Sequence, residues 1–301
     1  MQLTCIMKLR SFLAFLCCLP AFTALRAEEK PKVVTFSTIL TEVAQRVGGD
    51  RVEVTGLVKP GVDPHEFQPK PADLKLVSQA KLILLSAKHM EGYVGKLKEA
   101  TGTKGALVEV GDQFPSLKLK SENGRDQYVE DPHWWHSIDN VRRATKIVQD
   151  ELTKIAPAGK ADFSSNAATY NKELDELETW VKTEVAKLPR NKRKLVTTHD
   201  AFQYFAKAYG FTIHPIEGVS PEEQPSSKKV AELIATIKSE GVKAIFLESI
   251  ENPKVVQEIN REAGAKIGGT LYADGLGEEA EASTYVKMFR HNVSTIVNSL
   301  K

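Results

Sequence analysis

From Ala161 to Lys187 the chain runs without a glycine or a proline, and its apolar residues Tyr170, Leu174, Leu177, Val181, Val185 and Leu188 recur at near-helical spacing. One helix over these residues would be roughly 40 Å long at 1.5 Å per residue, longer than an ordinary crossover helix. Pro157-Ala158-Gly159 punctuates its start and Pro189 its end. On either side short β-type runs alternate with helix-length amphipathic stretches. The runs are Val33–Ser37, Val52–Val58, Lys81–Leu85 and Leu107–Val110 before it, and Leu195–Thr198, Thr212–Pro215, Ala244–Leu247 and Lys266–Leu271 after it. The intervening stretches include Ile39–Val47, Pro71–Gln79, Val141–Ile155, Ala201–Tyr209, Ser227–Glu240 and Pro253–Ala263. Strand, helix, strand at this spacing predicts parallel α/β architecture. The fold expected is α/β, with two parallel-sheet lobes joined by a single long helix and a cleft between them.

The first residues carry a different signal. Lys8 and Arg10 precede an apolar run over 11–25, and Ala27 closes it. That order describes a secretory signal peptide over 1–27, and the run is too short to span a bilayer comfortably. The expected parts are therefore a signal peptide at 1–27, an N-terminal lobe at 28–156, a linking helix at 157–189 and a C-terminal lobe at 190–301. Leu16 before Cys17, and Cys17 before Cys18, make a poor lipidation signal, so a freely soluble periplasmic protein is expected. Cys5, Cys17 and Cys18 all fall in the segment to be removed. A metal site in the mature chain must then use His, Asp or Glu. Removal also takes Lys8, Arg10 and Arg26 and no acid, so the 41 basic residues become 38 against 39 acidic ones, a net charge of −1. That balance gives no support for nucleic-acid binding.

The histidines differ sharply in context. His65 lies in Lys-Pro-Gly-Val-Asp-Pro-His-Glu-Phe-Gln-Pro, where four prolines and glycines forbid regular structure just past a strand. His199 follows Lys-Leu-Val-Thr-Thr directly, and Asp274 falls just past the run ending at Leu271. His133 sits in Asp-Pro-His-Trp-Trp-His ahead of a helix. Ligands of open α/β sheets bind outside the carboxyl ends of strands, and three of these four positions meet that rule. Three imidazoles and a carboxylate suit zinc, copper, iron or nickel. Taken singly, each has a plainer role: a solvated loop histidine, or a turn aspartate before Gly275. His89, His214 and His291 are read as structural or solvated, and Trp134 and Trp135 as packing residues.

The strings Pro-Gly-Val-Asp-Pro-His-Glu-Phe-Gln-Pro (60–69), Asp-Pro-His-Trp-Trp (131–135), Thr-His-Asp-Ala-Phe-Gln-Tyr-Phe-Ala-Lys-Ala-Tyr-Gly (198–210), Ser-Pro-Glu-Glu-Gln-Pro-Ser (220–226) and Asp-Gly-Leu-Gly (274–277) occur in order over the mature chain. In this combination the chain resembles the cluster A-I metal-binding proteins of ABC transporters, the zinc and manganese binders. The resemblance implies two lobes bridged by a rigid helix and one metal in the cleft, with ligands at His65, His133, His199 and Asp274. It implies a monomer that passes a divalent metal ion to a membrane permease, by capture and delivery rather than catalysis. The chain departs from the family at His136, where an aliphatic residue is usual, and His136 is a spare or supporting candidate. The segment Ser116–Asp131 has no histidine, unlike the metal-gathering loop of many zinc members.

Manganese members often resemble this pattern with Glu at the third ligand position. Here it is His199, and nitrogen donors favour zinc over Mn²⁺ (or Fe²⁺). Glu66 and Asp200 are the candidates, by proximity, for holding the rings' second nitrogens. Two rival functions are weaker. A zinc hydrolase would need His-Glu-x-x-His, which does not occur. A surface adhesin of the same family would be favoured by a lipid anchor.

Overall fold

The computed structural model describes residues 29–120, 128–220, 225–249 and 254–301; the expected signal peptide lies outside them. The chain opens with strand β1 (Lys32–Thr35), helix α1 (Thr38–Gly48), β2 (Glu53–Gly56), α2 (Pro71–Gln79), β3 (Leu82–Leu85), α3 (Val94–Thr101) and β4 (Ala106–Glu109). These four strands form a wholly parallel sheet in the order β2-β1-β3-β4. A short antiparallel hairpin, β5 (Lys118–Lys120) with β6 (Tyr128–Glu130), and helix α4 (Ile138–Ile155) follow. Helix α5 (Lys160–Ala186) is 27 residues long, within one residue of the sequence expectation at each end.

After α5 come β7 (Lys194–Thr197), α6 (Gln203–Tyr209), β8 (Thr212–Pro215), α7 (Ser227–Glu240), β9 (Ala244–Glu248), α8 (Lys254–Ala263), β10 (Lys266–Leu271) and α9 (Tyr285–Leu300). The second sheet is also parallel, in the order β10-β9-β7-β8. Pro215 is tolerated because β8 is an edge strand, where a missing N–H leaves no gap in the ladder. The hairpin, with strands of three residues each, and the eight-residue α3 are elements that the sequence reading did not name.

Strand alternation sorts the side chains into layers. Val34, Phe36, Ile83 and Leu85 point to one face of the first sheet and pack on α2 and α3 through Val77 and Leu97. Val196 and Ile245 of the second sheet likewise meet α7 and α8 through Leu233, Ile237 and Ile259. The opposite faces, with Val33, Leu82 and Leu84 from one sheet and Leu195, Ala244, Phe246 and Leu271 from the other, belong to a single cluster. Helix α5 supplies the stripe that joins them: Phe163, Ala167, Tyr170, Leu174, Leu177, Val181 and Val185 are all buried. Its neighbours are α1, α4 and α9. Each large side chain in such a stripe stabilises by about 1.5–3 kcal/mol. Two sheets sharing one continuous core cannot swing apart on a loose hinge. No helix among the described residues is long and apolar enough to cross a membrane.

A candidate metal centre

Four chain segments deliver the site, and each is locked locally before it meets the others. In Asp63-Pro64-His65 the Asp63 Oδ1 accepts the His65 backbone N–H at 2.7 Å. In Asp131-Pro132-His133 the Asp131 Oδ1 accepts the His133 backbone N–H at 2.9 Å. The same three-residue unit is used twice: the aspartate closes a turn onto the residue two positions on, and the proline fixes φ between them. His133 then enters a single 3₁₀ turn over Trp134–His136, and Ser137 caps α4 by accepting the N–H of Asn140.

His199 leaves the carboxyl end of β7, beside the end of β9. Glu248, the last residue of β9, accepts the backbone N–H groups of Thr198 at 3.0 Å and His199 at 3.3 Å on Oε1, and the Nδ1–H of His199 at 2.5 Å on Oε2. Asp274 follows β10. The carbonyl of Ala273 before it accepts Trp135 Nε1–H and His136 Nε2–H, each at 2.8 Å. Beyond it, Leu276 N–H donates to Thr38 Oγ1 at 2.9 Å. Gly275 permits that approach, since a Cβ there would lie 2.3 Å from the Thr38 hydroxyl.

These segments bring His65, His133, His199 and Asp274 together with one donor atom each, all within 4.8 Å of one another. His133 Nε2 lies 3.3 Å from His65 Nε2 and 3.2 Å from His199 Nε2. Asp274 Oδ1 is 3.3 Å from the His65 nitrogen and 3.4 Å from each of the other two. A tetrahedron with bonds of about 2.0–2.1 Å has edges of about 3.3–3.4 Å, so these separations suit an ion held by three nitrogens and one oxygen. Asp131 Oδ1 accepts the Nδ1–H of His133 at 2.9 Å, and Glu248 does the same for His199. Both rings therefore keep a proton on Nδ1 and direct Nε2 inward, where it can bind a cation once its own proton has left.

The electrostatics agree with a cation site. Burial pulls the His199 pKa down, but the carboxylates of Glu248 and Asp274 outweigh it and hold it well above the ordinary value. His133 follows the same rule, burial being outweighed by hydrogen bonds with Asp131 and Asp274. Burial raises the Asp274 pKa, yet the charge of His199 and the hydrogen bonds from the rings keep it well below the usual range. Asp274 Oδ2 is buried and has no hydrogen-bond partner among the described residues, an oxygen that a cation could also take up. A nearby cavity of about 570 Å³ lies apart from the donors, lined by Thr38, Glu42, Arg46, Lys59 and others. The donors themselves leave room for an ion, not for an organic solute.

The structure therefore gathers all four residues named from sequence. His136 is not among the converging donors: its Nε2–H is given to Ala273, and burial pushes its pKa down to about 3, so the ring is neutral. His214 pairs with Glu240, and His291 donates to the Thr270 carbonyl. Trp134 and Trp135 are buried packing residues, as expected. One expectation is corrected. The rings of His133 and His199 are held by Asp131 and Glu248, not by Glu66 and Asp200. Asp200 instead accepts the side-chain N–H of Gln203 at 2.7 Å. A sequence signal for the true partners existed: Asp131 repeats the spacing of Asp63, and Glu248 is the lone acid ending the apolar run Ala244–Leu247.

Comparison with known proteins gives the family and the fold. Residues 33–299 match the family model described as zinc-uptake complex component A, periplasmic. The chain is 33% identical over 281 residues to the manganese-binding lipoprotein MntA of Bacillus subtilis, covering 91% of each chain. It is likewise 33% identical over 281 residues to the zinc-binding protein TroA of Treponema pallidum, covering 91% of this chain and 90% of that one. The solved structure of the periplasmic zinc-binding protein TroA superposes with a TM-score of 0.83 at 32% identity, over 90% of this chain and 99% of that one. The iron-binding protein YfeA of Yersinia pestis is 30% identical over 282 residues, covering 91% and 90%.

Proposed function

We propose, from the premise that the chain belongs to the zinc-uptake complex component A family of metal-binding subunits of ABC importers, that it captures one Zn²⁺ in the cleft and delivers it to a membrane permease. It is a binding protein, not an enzyme. The ligands proposed are His65 Nε2, His133 Nε2, His199 Nε2 and Asp274 Oδ1. The observation that carries the reading is that five of the six donor separations are 3.2–3.4 Å and the sixth, His65 to His199, lies within 4.8 Å, which suits a small four-coordinate ion. Nitrogen-rich donors at that spacing favour zinc over manganese.

Capture exchanges protons for metal. The paired carboxylates hold protons on His133 and His199 in the metal-free pocket, and an arriving cation displaces them. With four protein donors no coordination position is left for an activated water, which suits carriage. The donors come from both sheets, so a partner that eases the sheets apart breaks the set and frees the ion. The mature chain is read as a soluble monomer in the periplasm, with residues 28–156 and 190–301 as its two lobes.

A second reading has its own support. The relative from Bacillus subtilis is named for manganese and that from Yersinia pestis for iron. Asp274 Oδ2 is buried and unpartnered, so Asp274 can offer both oxygens to a larger, higher-coordinate ion. Metal analysis of the purified protein and competition titrations decide between them. One zinc per chain, retained against excess Mn²⁺, is expected. Stoichiometric manganese that zinc does not displace would move the assignment to the second reading. A chelator-stripped protein whose melting temperature no divalent metal raises would sink both.

A further inference from the structure

His136 lies three residues from His133 and is 1% exposed. Its ring joins the His133 segment to two of the other three that deliver the site, those of His199 and Asp274. It follows the His133 turn, it packs on Phe202 at a centroid distance of 4.4 Å three residues beyond His199, and its Nε2–H reaches the carbonyl just before Asp274. That carbonyl has two lone pairs, and Trp135 Nε1–H takes the other. Trp135 is itself held, its carbonyl accepting the Tyr285 hydroxyl at 2.7 Å. On the far side of Asp274 the Leu276 N–H is fixed by Thr38. The backbone carrying Asp274 is thus clamped on both flanks by side chains from the first half of the chain.

We propose that His136 is a positioning residue for Asp274: by donating to the Ala273 carbonyl it fixes the peptide from which the carboxylate projects and sets the Asp274–His133 separation. This rests on Asp274 being a metal ligand. The physical need is tight. A carboxylate oxygen 3.3–3.4 Å from three nitrogens tolerates displacement of only about 0.5 Å before one bond is lost. One donor on Ala273 leaves the peptide free to tilt about that bond, whereas two donors on two lone pairs fix its plane. An imidazole is suited to the task because it brings a neutral N–H on a stiff, apolar ring that can also pack against Phe202.

Two substitutions separate the donor from the ring. His136→Gln places an amide N–H at the same depth along the side chain and gives up the stacking. His136→Phe keeps an aromatic ring on Phe202 and gives up the N–H. Zinc affinity, read by competition with a chromophoric chelator, is expected to fall tenfold or more in His136→Phe, the range seen when a group behind a metal ligand is lost. In His136→Gln it is expected to stay close to the parent protein. The d–d absorption of bound Co²⁺, which reports donor geometry, should shift in the first variant and not in the second. If His136→Gln is as weak as His136→Phe, or if His136→Phe binds like the parent, the proposal is overturned and the ring acts by packing alone. His136→Leu makes the same test should the phenylalanine variant not fold. Asp274→Ala is the separate control. Undiminished binding there would remove Asp274 from the ligand set, whereas lost binding with an unchanged His136→Phe defeats only the positioning role.

Discussion

Two loops leave the carboxyl ends of strands in the first sheet and are made rigid in opposite ways. The loop after β2 carries His65 and is fixed by covalent chemistry: Pro60, Pro64 and Pro69 restrict φ, and its one left-handed residue is Gly61 at φ 75°. The loop after β3 carries no converging donor, yet bends through three consecutive left-handed non-glycine residues, Ala87, Lys88 and His89, at φ 72°, 54° and 68°. Such residues cost of order 1–3 kcal/mol each unless the surroundings over-determine them. Here the buried Glu91 does so, accepting the N–H groups of Ser86 and Ala87 at 2.7 and 2.8 Å. Lys88 is buried too, its ammonium against the Phe114 carbonyl and ring. The contrast teaches that strain and function are not the same signal: the strained loop is scaffold, and the unstrained one holds the candidate ligand.

The largest effect should come from the scaffold loop. Glu91→Ala leaves two buried N–H groups without an acceptor, and the fold should lose about 3–5 kcal/mol. Denaturant unfolding of chelator-treated protein measures this, and zinc affinity of the folded fraction should be unchanged. His65→Ala is the converse. Zinc affinity should fall about 10- to 100-fold, or about 1.4–2.8 kcal/mol, while metal-free stability changes by less than about 1 kcal/mol, because the His65 ring faces the other donor rings and Asp274. If Glu91→Ala weakens metal binding, or His65→Ala unfolds the protein, the two loops do not divide the work in this way.

Acidity separates them further. Burial raises Glu91 to about 7, so this carboxyl favours the folded state when protonated, and its contribution is lost as pH rises from about 4.5 to about 7. The raised pKa values of His133 and His199 act in the same direction. Their contribution is complete below the unfolded value of about 6.5 and is lost as pH rises through the folded values. Asp274, whose pKa is depressed, contributes above about 3.9 and loses that only as pH falls through its lowered value. Metal-free stability should therefore fall as pH rises from about 4.5 to about 7 through Glu91, and further above about 6.5 through the two histidines. The zinc-induced rise in melting temperature should grow over the same range, because bound metal requires neutral imidazoles. Melting curves with and without zinc across that range make the comparison. A zinc shift that is flat with pH would mean that His133 and His199 do not exchange protons for metal.

How much of this was legible in the sequence depends on the distance over which each feature is encoded. The long helix and the strand alternation are local, written in periodicity and punctuation, and they appear within a residue or two. His65, His199 and Asp274 sit just beyond strands, where α/β folds present ligands, but the full set with His133 was legible through the resemblance to the metal-binding family, not through placement alone. Glu248 was not recognised as the partner of His199, because the pairing depends on β9 lying beside β7, and strand order is not written in either strand. The left-handed turn was invisible for a related reason. Ser-Ala-Lys-His-Met-Glu contains none of the glycines or asparagines that usually mark φ > 0, and the turn is held by the buried Glu91, five residues from Ser86, and by Asp112, which accepts the Lys88 N–H.

That turn also yields the smallest and most discriminating effect. A left-handed L-residue costs roughly 1–2 kcal/mol, and glycine removes that cost while adding about 0.5–1 kcal/mol of unfolded-state entropy to be overcome. At His89 the side chain is exposed, so nothing else changes, and His89→Gly should stabilise the fold by about 0.5–1 kcal/mol. At Ala87 the methyl is buried, 5% exposed, and losing it costs about 0.8 kcal/mol, which cancels the gain. His89→Gly should therefore raise the melting temperature of chelator-treated protein by about 1–4 °C, while Ala87→Gly leaves it nearly unchanged. Neither should alter zinc affinity. A His89→Gly protein that melts lower would show that the turn is not strained. One that melts higher but binds zinc less tightly would show that the β3 loop is coupled to the cleft after all.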